Sequence, residues 1–323
     1  MLSRTADHLF WMARYMERAE NTARLLDVNY QNALLPQSAS KSQLGWQGLL
    51  KLSELTEDFA SRYRAIDAES VMEFMTIDER NLSSIRNCLR AARENARAVR
   101  GALTTEVWET TNDTWLTFER MRTEGVCRRD PGQVFEWVKF RSHLSRGVQL
   151  GTMLQDEALH FLRIGTFLER ADNTARLLDV KFHAVGDEFH GTAGARDQEY
   201  DFYHWSGILR SVSAFEVYRK VYRNVIRPEK VAELLILRAD MPRSLAACIN
   251  EVVLNLRRVR NGNAGETLRL AGRLEADLRF ARIEEILEGG LHAFLSRFLD
   301  RVAEIGDGIG RDFLAADPLT QAA

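Results

Sequence analysis

Residues 16–28, MERAENTARLLDV, return 152 positions later as LERADNTARLLDV at residues 168–180, with 11 of the 13 positions identical. That shift is nearly half of the 323-residue chain, and it constrains the fold more than any other feature of the sequence. Self-similarity on this scale predicts two related helical units that bury their apolar faces together. The expected organisation is a tandem duplication, with residues 1–149 as a first lobe and residues 150–323 as a second. Weaker matches continue beyond the motif. His160 answers His8 at the same shift, Trp205, Gly207 and Leu209 answer Trp46, Gly48 and Leu50 at a shift of 159, and Ser244 and Cys248 answer Ser84 and Cys88 at 160.

The periodicity throughout is helical. From Ser3 or Thr5, either of which can serve as a cap, to about Tyr30, the apolar residues Leu9, Met12, Met16, Ala19, Ala23 and Leu26 alternate steps of three and four and form one stripe. Further helices are expected over 45–63, 69–75, 81–103, 105–124, 134–153 and 154–183, with a break at GVCRRDPGQ, residues 125–133. The tail over 266–313 reads as two helices interrupted at Gly289 and Gly290. In the helix over 81–103 the stripe is Leu82, Ile85, Leu89, Ala92, Ala96 and Val99. Five prolines, twenty glycines and the absence of period-two alternation agree with an all-α, two-lobed helical bundle.

Charge and composition exclude several classes. Lys and Arg total 44 against 46 Asp and Glu, so no global basic field points to nucleic acid or an anionic membrane. No run approaches the roughly 20 apolar residues of a membrane helix, and the N-terminus lacks a signal-peptide core. Cys88, Cys127 and Cys248 are widely spaced with no CxxC pair, which suits a reducing, cytoplasmic setting. No phosphate-binding glycine motif is present, so no nucleotide or other cofactor is expected.

The polar residues of the repeated motif are the candidates for a site. Glu17, Asn21 and Arg24 fall at i, i+4 and i+7 and share one helix face, and Glu169, Asn173 and Arg176 repeat them. Two accounts fit these rows. Buried charges near a core are tolerated when paired and hydrogen-bonded, so the rows can be salt bridges that fix the packing of the lobes. Alternatively they line one groove in which Arg clamps a carboxylate or phosphate and Glu holds an amine or serves as a base. Glu20 can also pair with Arg24. Glu157 and His160 have the ExxH spacing of carboxylate-bridged metal bundles, and Asp201 and His204 give a DxxH near His183, Glu188 and His190. The first copy has Thr5 opposite Glu157, so that pair is not doubled and no metal site is expected. His8 and His160 read as packing histidines, and Cys88 and Cys248 as inert buried thiols.

At DHLFWMARYMERAENTARLL, RNLSSIRNCLRAARENARAVR and RADMPRSLAACINEV the chain resembles the bacterial alpha-E family, helical proteins named for a repeated Glu-Arg motif. The likeness runs over nearly the whole chain. It departs where Thr166 stands opposite Arg14, and where Asn255 and Leu256 replace the pattern around Glu94 and Asn95. The resemblance implies a setting beside circularly permuted ATP-grasp proteins, which activate carboxylates for amide ligation. The expected role is a helical partner subunit of an ATP-grasp ligase-like protein, presenting a peptide or amino-acid substrate. The alternative is an enzyme acting on the conjugate, with Glu17 or Glu169 as general base and an Arg as carboxylate clamp.

Overall fold

The computed structural model describes residues 1–34, 39–186, 204–259 and 265–314, and all regular structure among them is helical. Two long helices occupy the centre, α1 (Ser3–Ala33) and α9 (Glu157–Gly186). They run side by side in the same direction: the Met1 amine meets Glu157, Phe10 meets Gly165, and Glu17 meets Arg170. Gly165 permits the closest approach. A Cβ there would lie 2.3 Å from the Phe10 carbonyl oxygen and 3.3 Å from the Ala13 Cβ.

Between these helices lie α2 (Ala39–Leu52), α3 (Thr56–Ala60), α4 (Ala68–Thr76), α5 (Ile85–Ala98), a 3₁₀ turn at Arg100–Ala102, α6 (Thr105–Thr123), α7 (Val126–Arg129) and α8 (Pro131–Thr152). After α9 come α10 (204–211), α11 (Phe215–Tyr222), α12 (Pro228–Ile236), α13 (Leu245–Arg258), α14 (Gly265–Phe280), α15 (Ile283–Glu288) and α16 (Leu291–Phe313). α1 packs on α5 and α8, with α6 bridging those two. α9 packs on α13 and α16, with α14 bridging those. Residues 149–150, the expected lobe boundary, fall in the last turns of α8, and the chain turns at 153–156.

The six apolar residues of the α1 stripe are all buried. The polar row beside it is buried too, because α8 and α9 cover that side. α1 begins after Leu2 with no side-chain cap, so neither Ser3 nor Thr5 plays that part. Ser84 caps α5 by accepting from the Asn87 amide, and Ser244 caps α13 by accepting from the Ala247 amide. The cap at Ser84 corrects the stripe expected from residue 81 onward, since Leu82 lies before the helix and is exposed while Ile85, Leu89, Ala92, Ala96 and Val99 are buried. The helix expected over 45–63 is two helices, parted at Glu54, whose φ of 56° ends α2 in the left-handed region. The tail holds three helices, with an additional break at Ala281–Arg282 ahead of the one at Gly290, whose φ is 88°.

Candidate functional site

The Glu-Arg dipeptides of the two motif copies clasp each other. Arg170 donates from Nε to Glu17 Oε1 at 2.8 Å and from Nη2 to Oε2 at 2.9 Å. Arg18 donates from Nε to Glu169 Oε1 at 2.6 Å and from Nη2 to Oε2 at 3.1 Å. Each copy therefore supplies the acid of one bidentate pair and the base of the other. Such forks fix the direction as well as the distance between two helices. The equivalence extends outward: His8 Nδ1 lies 2.8 Å from Asn95 Oδ1, and His160 Nδ1 lies 2.8 Å from Asn255 Oδ1. Both asparagines donate to a carbonyl four residues back, so each Oδ1 accepts from imidazole. Asn255 is thus the counterpart of Asn95, and the departure read there from the sequence is a one-residue misregister.

Each pair recruits extra guanidinium groups, and here the halves differ. Arg14, opposite Thr166, adds a second guanidinium group to Glu169 at 2.7 Å. Glu17 receives Arg243 at 3.0 Å and Arg146 at 3.0 Å, and both of these also hold Glu20. Arg243 Nη1 donates to Asn21 Oδ1 at 2.9 Å, and Ser142 Oγ donates to Glu20 at 2.7 Å. Arg24 donates to Glu20 from Nε at 2.8 Å and to Ser213 Oγ from Nη1 at 2.6 Å. Arg176 instead pairs with Asp172 at 2.8 Å and with Glu54.

The six residues singled out in the sequence therefore occupy different settings. Glu17, Asn21 and Arg24 join one buried cluster. Glu169 centres a second, and Arg176 forms part-exposed ion pairs two turns further along α9. Asn173 is half-buried, and no hydrogen bond among the described residues links it to either cluster. Sequence reasoning missed Arg146 and Arg243, which reach Glu17 from 129 and 226 positions away. Ser83 stands at the position matching Arg243, so comparing the copies gives no signal for it.

Burial pushes the Glu17 carboxyl up, but the guanidinium groups of Arg170, Arg243 and Arg146 outweigh it and hold it down to about 2. Glu20 and Glu169 are likewise held below the carboxylate range against burial, by Arg243 and Arg146 in one case and by Arg14 and Arg18 in the other. Burial holds Arg243 below the arginine range despite Glu20 and Glu17, with Arg170 and Arg24 adding repulsion. A carboxyl held near 2 and 1% exposed is a poor proton acceptor, so the geometry does not favour Glu17 as a general base. These depressed values stabilise the fold fully above the ordinary 4.5, and that contribution is lost as pH falls through the folded-state values. The melting temperature is expected to drop between about pH 4.5 and pH 2. In Glu17→Gln the drop should be shallower.

Glu157 takes the Met1 amine and His160 takes Asn255, so the ExxH pair is not assembled as ligands. Among the described residues no three His, Cys, Asp or Glu side chains converge as a metal site. Asp201, Glu188 and His190 lie outside the described residues, as does the His183 side chain. Burial pushes the Cys88 and Cys248 thiols up to about 12, which leaves them weak nucleophiles. No described helix is long and apolar enough to cross a membrane.

Residues 1–314 match the Alpha-E family, described as a predicted alpha-helical domain with a conserved ER motif. The chain belongs to the Alpha-E family. The clasped pairs Glu17–Arg170 and Glu169–Arg18 are formed by two of the chain's Glu-Arg dipeptides. Similar relatives are an uncharacterized protein of Mycobacterium bovis and two of Mycobacterium tuberculosis, each 26% identical over 325 residues. The match covers 92% of the Alpha-E chain and 35% of each relative, so the chain spans about a third of their length. No solved structure matches it.

Proposed function

We propose that this Alpha-E chain is a cytoplasmic, helical accessory subunit of an ATP-grasp-type peptide or amino-acid ligase system, which binds the ligase and presents its substrate. The observation that carries the reading is the outer face of α8. Phe140, Leu144 and Leu150 are 68%, 45% and 59% exposed, and Leu154 continues the face beyond the helix. Gly147 and Gly151 lie among them, and an added Cβ at either would meet nothing within 4 Å, so no packing among the described residues accounts for their lack of a side chain. Glycine in a helix interior costs about 0.5–1 kcal/mol relative to alanine, a cost that close approach of a second backbone offsets. Glu106, Glu109 and Asp113 are exposed on the neighbouring α6, and Arg141 ties Asp113 to α8 at 3.0 Å. An apolar strip beside an acidic row suits an amphipathic helix with a basic flank.

Two further facts support a subunit role. Glu17, Glu169 and Arg170 of the clasped dipeptides are buried in packing, and Arg18 is only partly exposed. The mycobacterial relatives join the helical region to further sequence in one longer polypeptide. The three free cysteines, two of them buried, fit a reducing compartment. Co-purification with the ATP-grasp ligase-like protein tests the reading. The wild-type chain is expected to retain the ligase, and Phe140→Glu with Leu144→Glu to lose it while keeping its helical circular dichroism. Failure of the wild-type chain to associate, with ligase rates unchanged by its addition, would overturn the proposal.

A further inference from the structure

Arg24 and Arg176 occupy matched positions, and each donates from Nε to the acid four residues earlier, Glu20 or Asp172. Each then turns Nη1 to a residue at the end of a short helix on the other half of the chain. That residue is Glu54 for Arg176 and Ser213 for Arg24. Glu54 and Ser213 lie 159 positions apart, the shift that relates α2 to α10. Their backbones agree closely. Their φ values are 56° and 54°, and the following amides, Leu55 and Ala214, donate back to Leu50 and Leu209 at 3.0 and 2.7 Å. A carboxylate completes one arginine site, and a hydroxyl stands in its place at the other.

The surroundings of Arg24 are correspondingly short of acceptors. The ion pairs of its cluster join two carboxylates, Glu17 and Glu20, to four guanidinium groups, those of Arg24, Arg146, Arg170 and Arg243. The opposite side sets Glu169, Asp172 and Glu54 against Arg14, Arg18 and Arg176, three against three. His143 faces Arg24 with one ring nitrogen at 3.1 Å and Arg146 with the other at 2.8 Å, and a neutral imidazole can accept from only one of them. Among the described residues, Asn21 Nδ2 is buried with no acceptor. Beside Arg24 and Ser213 opens a cavity of about 280 Å³ that is also lined by Arg210, Lys139, Asp27 and Glu216.

We propose that this cavity binds a small zwitterion, an amino acid or dipeptide, whose carboxylate lies between Arg24, Ser213 and Arg210 where Glu54 lies beside Arg176. Its ammonium group pairs with Glu216, three residues beyond Ser213, or with Asp27, one turn beyond Arg24 on α1, which Lys139 also holds at 2.8 Å. Those two acids disfavour a phosphate dianion, and the volume lies at the small end of ligand pockets, which run from roughly 300 Å³ upward. The inference goes beyond the ligase partnership and does not depend on it. Binding is measured on the chain alone, so a failed co-purification leaves it standing.

Isothermal titration with L-alanine, glycylglycine, L-alaninamide, N-acetyl-L-alanine and inorganic phosphate tests it. Saturable binding of alanine or glycylglycine is expected, with alaninamide and N-acetylalanine each weakened by at least about tenfold, since each lacks one of the two charges. Ser213→Glu installs the missing carboxylate at a backbone position where Glu54 already tolerates it. This variant should lose binding and melt about 2 °C higher or more, because the arginine cluster gains its counter-charge. No binding of either zwitterion, stronger binding of phosphate, or unchanged binding in Ser213→Glu would overturn the proposal.

Discussion

Glu17→Ala should destabilise the protein by about 3–5 kcal/mol, the cost of breaking a buried ion pair by removing one partner. Glu17 is 1% exposed and serves three guanidinium groups, of which Arg170 and Arg243 are themselves buried. Removing the carboxylate leaves Arg170 without its counter-charge and Arg243 and Arg146 sharing Glu20 alone, in a low dielectric where repulsion between these cations is strong. Urea denaturation gives the value directly. Arg176 lies in the other regime. It is part-exposed and paired at its rim with Asp172 and Glu54, so Arg176→Ala should cost under about 1 kcal/mol.

The second large effect is steric. Gly165→Ala is expected to lower stability by about 1–3 kcal/mol, because its Cβ meets the Phe10 carbonyl at 2.3 Å and backbone cannot rotate out of the way. The same substitution at Gly272 in α14, where the added Cβ meets nothing within 4 Å, should instead stabilise by up to about 1 kcal/mol through helix propensity. Opposite signs for one chemical change isolate the contact between α1 and α9 from the general preference of helices for alanine. Melting curves of the two variants are sufficient.

The sequence discloses what is periodic and local. The stripe from Leu9 to Leu26 declares α1 and its buried face, and the repeat places α9 as its equal. The repeat also marks Arg18 and Arg170 as a matched pair, but nothing local says that each acid is answered by the other copy. Helix ends are less legible. α2 stops because Glu54 adopts a left-handed conformation, which glycine or asparagine would have signalled and glutamate does not. The break between α14 and α15 carries no glycine or proline. Least legible is the cluster around Glu17, whose composition rests on Arg146 and Arg243 arriving from α8 and from the turn before α13. Those positions are decided by packing among distant elements, and the copies do not share them.

Glu17–Arg170 and Glu169–Arg18 clasp one copy of the motif to the other. A double-mutant cycle on Glu17→Gln and Arg170→Met, with stability read from urea denaturation, tests this most directly. A clasp requires the double variant to be less destabilised than the sum of the singles by about 1 kcal/mol or more. Additivity within about 0.5 kcal/mol would contradict the claim.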